Sequence, residues 1–433
     1  MSSNQTPKPL AVFVPWLHMH QPPIWVGQGS EAKLIGNLEK MLNGEPNSEE
    51  SWNAQWFAQA YKNPARYVNI LKSEGLEPRI MVDYSGVLLE ELAKLSSNGH
   101  FDHLEVEGEK IGDVISLWRQ VLSEYPEAVE FTGTAYSHCY FPATPERDHE
   151  AQILEWRRVF ADLFGTAALS NVRGFWLPEM GMTGDPTEAL KLIRLLKKCG
   201  YEWIILPHSA LDYPQDWSTP EVENRVHWLV VEAGGESEKM LCVVRDTDMG
   251  IRQQSGQNTD GCIQDIRYRG NTLKSSEIPP LVVPTSDGEN GNVMMFEYFK
   301  NSFAPLFRES QQWSDIAFMT VSQYIDHYIR DRSITEIRLK PTGGSWIGGH
   351  QSWNEGDLRQ GVLKAVEDLS QAYASHRQAT NSSLSDQQER ALLLCETSCF
   401  VYWGSEFWIQ QAYQCLDWAK DLNSYQLPVT SDQ

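Results

Sequence analysis

The stretch PLAVFVPWLHMHQPP, Pro9 to Pro23, runs a series of apolar, β-branched residues straight into two histidines one residue apart. Its first ten residues read as a strand. Side chains alternate between the faces of a strand, so His18 and His20 point to one side. Gln21-Pro22-Pro23 then follows, and that ending argues against one major architecture. A doubly wound sheet places a Gly-rich phosphate loop after its first strand, and HMHQPP is not such a loop. A first strand ending in polar side chains suits a barrel, which builds its site at the C-terminal ends of its strands.

Working outward, strand-length and helix-length segments alternate. SWNAQWFAQAYKNPARYVNILKSEG (51–75) predicts a helix broken or kinked at Pro64. PRIMVDYS (78–85) predicts a strand and GVLLEELAKL (86–95) a helix. Helical period marks 113–125 and 149–165, while 128–138 and 172–179 are strand-like. Segment 185–200 has Asp185 as N-cap, Pro186 at the first helical position and Gly200 as the stop. Residues 201–207, 226–232, 239–246 and 279–290 complete the strand series. This order predicts parallel strands with crossover helices, hence an α/β barrel. From about residue 356 the pattern is helical, with polar NSSLSDQQ (381–388) between two helices. The chain is therefore expected to divide into a barrel with its loops, 1–355, and a C-terminal helical region packing on it, 356–433.

Composition narrows the partners. The 433 residues carry a formal net charge of -22, and such a surface repels phosphate backbones and anionic lipid. Neither nucleic acid nor membrane is expected. The seven cysteines are scattered without a paired framework, and no signal-peptide pattern opens the chain, so a reducing, cytoplasmic location is expected. Sixteen tryptophans exceed what packing alone usually requires, and Trp176, Trp346, Trp353, Trp403 and Trp408 lie in polar, Gly-rich surroundings. Indole faces stack on the C–H faces of sugars as readily as on an apolar core.

The strand ends carry the chemistry: His18, His20, His138, Glu179 in GFWLPEMG and Asp287 in PTSDGEN. A metal at His18-x-His20 would want a further ligand such as a nearby Asp, whereas neutral imidazoles reaching ligand hydroxyls fit the pair as well. Alone, Glu179 reads as a surface or capping residue and Asp287-Gly288 as a turn. Asp246 and Asp248, in VVRDTDMG, occupy a third such place. Two carboxylates converging from different strands over a barrel mouth would suit acid and nucleophile at a glycosidic bond. Trp346, His350 and Trp353, in the Gly-rich GGSWIGGHQSW (343–353), fit a sugar cleft. TSCFVYWGSEFW (397–408) contributes Trp403, although its helical position gives most of its rings to packing.

In order, HMHQPP, FTGTAYSHCYFP, GFWLPEMGM, PTSDGEN and GSWIGGHQSW resemble the glycoside hydrolases of family 57, which include α-amylases, 4-α-glucanotransferases and branching enzymes. The resemblance implies an incomplete (β/α)7 barrel, TIM-like, followed by a C-terminal helical domain. It implies that Glu179 is the nucleophile of a glycosyl-enzyme intermediate and Asp287 the general acid/base. Retention would require their carboxyls about 5–5.5 Å apart. It further implies sugar contacts from His18, His20, Gln21 and His138, with Trp176 and Trp353 lining the cleft. No cofactor and no metal is called for. The expected substrate is α-glucan or maltooligosaccharide, cleaved by a retaining hydrolase. A transglycosylase of the same family is the alternative, ahead of a metal-dependent carbohydrate deacetylase or mannosidase and a non-catalytic glucan-binding protein. Cys139 and Cys399 depart from the family pattern, and Gly291-Asn292 also differ, which bears on subsite shape more than on the reaction.

Overall fold

The computed structural model describes residues 8–27, 31–45, 48–289, 295, 297–380 and 384–424. Expectations touching 1–7, 290–292 and 381–383 lie outside the described residues. The opening strand is split into β1 (Ala11–Phe13) and β2 (Trp16–Met19) at Pro15, which has no N–H to donate. Six further ring positions follow: β3 (Ile80–Tyr84), β4 (Val129–Phe131), β5 (Gly174–Trp176), β6 (Trp203–Leu206), β7 (Glu236–Val244), and β8 (Leu281–Val282) continued by β9 (Thr285–Asp287).

All pairings around this ring are parallel. β9, β2, β3 and β4 form one sheet, and β5, β6 and β7 belong to another. Two single bridges close the circle. Gly133, just past β4, bonds both ways across β5 (its N to Gly174 O at 2.9 Å, Trp176 N to its O at 2.8 Å). Asp246, just past β7, donates its N to Val283 O at 3.1 Å. β1 pairs on its other side with a short strand, Ile316–Phe318, whereas β2 pairs there with β3. That strand covers only the N-terminal part of an eighth position, so the barrel has seven strands and remains incomplete.

The period of two sorts side chains between the inside and outside of this barrel. Val12, Val14 and Trp16 join Met81, Trp176, Trp203, Ile205, Leu241, Val243, Leu281 and Val283 in one buried cluster, the barrel interior. Ala11, Phe13, Leu17 and Met19 pack outward with the helices. His18 and His20 continue the inward parity of Val12, Val14 and Trp16. By the same counting Asp83 follows Met81, Arg245 follows Val243, and Asp287 follows Val283. Trp16 packs against Trp176 and Trp203, with centroids 5.4 and 5.9 Å away, and the three indoles floor the site.

Three expectations need correction. The 226–232 segment is a strand, Val226–Ala233, but it runs antiparallel to β7 outside the ring. Gly234 and Gly235, both at positive φ, make the hairpin turn that no crossover could follow. Pro64 does not break its helix, which runs from Glu49 to Ser73. Finally, 128–138 is strand only to Phe131, after which the chain turns into the site.

Asp246 and Asp248 are not site residues. Asp246 is fully buried, caps the helix Thr247–Gln254 and grips Arg269 through two hydrogen bonds, while Asn224 supplies a fourth donor. Asp248 is largely exposed and pairs with Arg252 at 3.0 Å. Removing the guanidinium would strand a buried carboxylate, so Arg269→Ala should cost about 3–5 kcal/mol of stability, measured by urea unfolding.

Past the barrel lie the helices Asp357–Thr380, Asp386–Cys395, Ser398–Trp403 and Glu406–Ser424. They share a core of their own, which takes in Tyr140 and Trp353 from the preceding chain. Among the described residues no helix is long and apolar enough to cross a membrane.

Candidate active site

A cavity of about 550 Å³ opens at the C-terminal ends of the barrel strands. Register alone builds its centre: Asp287 on β9 lies beside His18 on β2, which lies beside Asp83 on β3. His18 stacks on Trp176 at 5.1 Å with 9° between the rings. His138 enters from the turn after β4 and stacks on His20 at 4.1 Å.

Glu179 comes from the other side, on a tight turn after β5 begun by Pro178. Its φ is +59° and that of His138 is +60°, left-handed conformations in which a side chain with a Cβ is strained. Only four described non-glycine residues adopt positive φ, and three of them are His138, Glu179 and Met180. Strain concentrated at two cavity-lining residues is a mark of a working site. The Glu179 carboxylate is held at both oxygens. Trp346 Nε1 donates to Oε2 at 2.7 Å and Ser398 Oγ to Oε1 at 3.1 Å.

The electrostatics follow from burial and neighbours. Burial pushes the Glu179 carboxyl up to about 7 with help from Asp287, against the opposing pull of His18 and its two donors. Glu289, buried and facing Asp287, is pushed up to about 8. Burial would lower His18, but the charge and hydrogen bond of Asp83, with Asp287 and Glu289, take it up to about 10. His20 and His138, buried near that cation, go well below the ordinary histidine range. His18 is thus favoured in its protonated form among several carboxyls, with two imidazoles favoured neutral beside it.

Most of the expected site residues meet here: His18, His20, Gln21, His138, Trp176, Glu179, Asp287, Trp346 and Trp403 all line the cavity. Two do not. Trp353 is fully buried and stacks on Tyr140 at 4.3 Å, so its ring belongs to the core of the C-terminal helices. His350 is turned away behind Tyr140, bonded to that hydroxyl and, at 3.0 Å, to Thr342 O. The Gly-rich loop folds back on itself between Ser345 and Gly348, so only its Trp346 end reaches the cavity.

Residues not anticipated also line it, among them Arg245, Glu289 and Tyr402. Arg245 stood next to the two aspartates of VVRDTDMG, but on the inward parity. Glu289 receives the His20 backbone N–H at 3.0 Å. Cys399 occupies the wall as a buried thiol, which burial and Glu179 hold protonated.

Among the described residues, His20, His138 and Cys399 form the group whose ligand atoms come within 4.8 Å of one another. The two imidazoles do not suit a metal. Their planes are 8° from parallel, so the nitrogen lone pairs run side by side and do not converge. His138 Nε2 also already faces His18 Nε2 at 2.9 Å.

Several polar atoms of cavity-lining residues are buried without a hydrogen-bond partner among the described residues: His20 Nε2, Trp176 Nε1, Thr285 Oγ1, Glu289 Oε2 and Arg245 Nε. Buried polar groups are nearly always paired, so these atoms are the cavity wall's unspent hydrogen-bonding capacity.

Comparison with solved structures gives the same fold. A family 57 branching enzyme from Thermococcus kodakaraensis superposes with a TM-score of 0.68 at 14% identity, covering 98% of this chain and 92% of that one. The α-amylase of Thermotoga maritima gives 0.61 at 12% identity over 98% and 94%. The 4-α-glucanotransferase of Thermococcus litoralis gives 0.61 at 15% identity over 96% and 60%. A search of curated protein sequences returns no significant match. The family profile described as glycosyl hydrolase family 57 matches residues 16–338. That span is about three quarters of the chain and runs from β2 through every strand of the barrel, so the protein belongs to glycosyl hydrolase family 57.

Proposed function

We propose that this protein is a retaining glycoside hydrolase of α-glucan, with Glu179 as nucleophile and Asp287 as general acid/base. The observation that carries the reading is the placement of these two carboxyls on different strand ends of one cavity, with Glu179 strained and held at both oxygens. Asp287 gives its proton to the leaving glycosidic oxygen as Glu179 attacks the anomeric carbon. Asp287 then takes a proton from water, which releases the sugar with its configuration kept. The unpaired His20 Nε2, Trp176 Nε1 and Arg245 Nε supply donors and an acceptor for sugar hydroxyls, and the indoles supply stacking faces.

A second reading, transfer to another glucan, has an observation of its own. Trp346 and Trp403 are 39% and 46% exposed at the cavity lip, where an acceptor chain would stack. Incubation with pure maltoheptaose separates the two. Shorter products alone, released first as α-anomers by NMR, are expected for the hydrolase, and a ladder of longer chains would replace it with the transferase. Absence of turnover on every α-glucan would overturn both. The division near residue 355 is part of the same proposal, the helices after it acting as one wall of the cleft.

A further inference from the structure

Asp83 takes no part in the reaction just described, yet it is fully buried at the end of β3 and points into the barrel. It accepts from Trp16 Nε1 at 2.7 Å and faces His18 Nδ1 at 2.5 Å. From His18 a continuous chain runs to the nucleophile. His18 Nε2 meets His138 Nε2 at 2.9 Å, His138 Nδ1 meets Ser398 Oγ at 2.8 Å, and Ser398 Oγ meets Glu179 Oε1 at 3.1 Å.

Proton counting leaves two arrangements for this chain. Two ring nitrogens at 2.9 Å share a single proton, owned by one of them. If His138 owns it, its Nδ1 is a bare acceptor, and the one Ser398 proton is spent on His138 and lost to Glu179. If His18 owns it, His138 donates from Nδ1 to Ser398 and the serine hydroxyl is free to donate to Glu179; His18 is then an imidazolium when its Nδ1 also keeps the proton it shares with the Asp83 carboxylate. The side chains facing His18 select between them: Asp83, Asp287 and Glu289 are carboxyls, and His20 and His138 are the other neighbours. Cationic His18 is the arrangement that Asp83, hydrogen-bonded to its Nδ1, favours.

We propose that Asp83 is a positioning residue for Glu179, acting through His18, His138 and Ser398 by holding His18 as an imidazolium and so turning the Ser398 hydroxyl onto the nucleophile. The inference rests on Glu179 being the reacting carboxylate. Facing Glu179 are His18, His138, Asp287, Tyr140, Tyr402 and Cys399, and the imidazolium is the cation among them. Losing it, and the serine donor with it, would make Glu179 harder to ionise.

The test has a spectroscopic arm and a kinetic one. In histidine-15N-labelled wild type at pH 8, two-bond correlation spectra should show His18 protonated at both nitrogens and His138 at Nδ1 alone. A neutral His18 at that pH would overturn the proposal. In Asp83→Leu, which offers Nδ1 no partner, His18 should become neutral and kcat on maltoheptaose fall about 10- to 100-fold, as for other residues that orient a reacting group, with KM nearly unchanged. The acid limb of kcat/KM should move up by about one pH unit. Ser398→Ala should reproduce the kinetic change without disturbing a buried strand, and the double variant should lose little more than either single one. An unmoved acid limb in Ser398→Ala would overturn the proposal even if the Asp83 variant fails to fold, and multiplicative losses in the double variant would overturn it where that variant folds. If the histidine spectra have the stated pattern and no α-glucan is turned over, the function reading fails and the proton arrangement stands.

Discussion

Glu179→Gln is expected to reduce turnover of maltooligosaccharides by about ten-thousandfold or more, the scale seen when a covalent nucleophile is removed. The amide keeps the shape and still accepts from Trp346, so folding should be unharmed, but it forms no glycosyl ester. Wild type should carry the complementary signature in its pH profile. Attack needs the carboxylate, and burial holds this carboxyl near 7, so kcat/KM should fall as pH drops below about 7. Folding answers with the opposite sign. A buried carboxyl whose pKa is raised binds its proton more tightly when folded, so its contribution is full below the unfolded value and is lost as pH rises through 7. Glutamine at 179 removes that loss, and thermal melts at pH 5 and pH 8 should differ less in the variant than in wild type. Unchanged turnover in Glu179→Gln would sink the assignment.

Asp287→Asn should lower turnover of maltooligosaccharides by about a hundredfold to ten-thousandfold through loss of general acid/base catalysis. The loss should depend on the leaving group. A 4-nitrophenyl glycoside leaves without a proton, so its first step should survive as a burst while deglycosylation stalls. Azide needs no base and should restore turnover, with an α-glycosyl azide as product, since Glu179 still holds the opposite face. A uniform loss across leaving groups, with no burst and no rescue by azide, would place the acid elsewhere. Glu289 would be the next carboxyl to test, because it too is buried in the cavity and pushed up to about 8.

The barrel was legible because local rules carry that information, whereas the two carboxyls took their proposed roles from the family resemblance. In PLAVFVPWLHMHQPP the period of two already put His18 and His20 on one face, and the strand–helix order already called for parallel pairing. Glu179 and Asp287 were legible as carboxyls at strand ends, but only their motif contexts set them apart from Asp246 and Asp248. Where the reading failed, the deciding interaction was distant in sequence. Trp353 and Trp346 lie in one loop with similar flanks, yet Trp353 is claimed by Tyr140, more than two hundred residues earlier, while Trp346 bonds Glu179. Asp246 was attractive as a strand-end carboxylate until Arg269 came up against it. Arg245, its neighbour, faces the cavity because parity places alternate residues on opposite sides of the barrel wall.

By itself, then, the sequence determined the parallel-strand barrel, the run of helices after it and the two carboxyls at strand ends, since periodicity and strand ends are properties of contiguous residues. Only the tertiary structure decided which aromatic rings line the cavity, which aspartates merely pair with arginine, and how Asp83 reaches Glu179. Those outcomes depend on register across the sheet and on contacts between segments up to 260 residues apart, His138 to Ser398 among them. A proton's position in that chain is set by all of its neighbours at once, and no stretch of sequence contains them together.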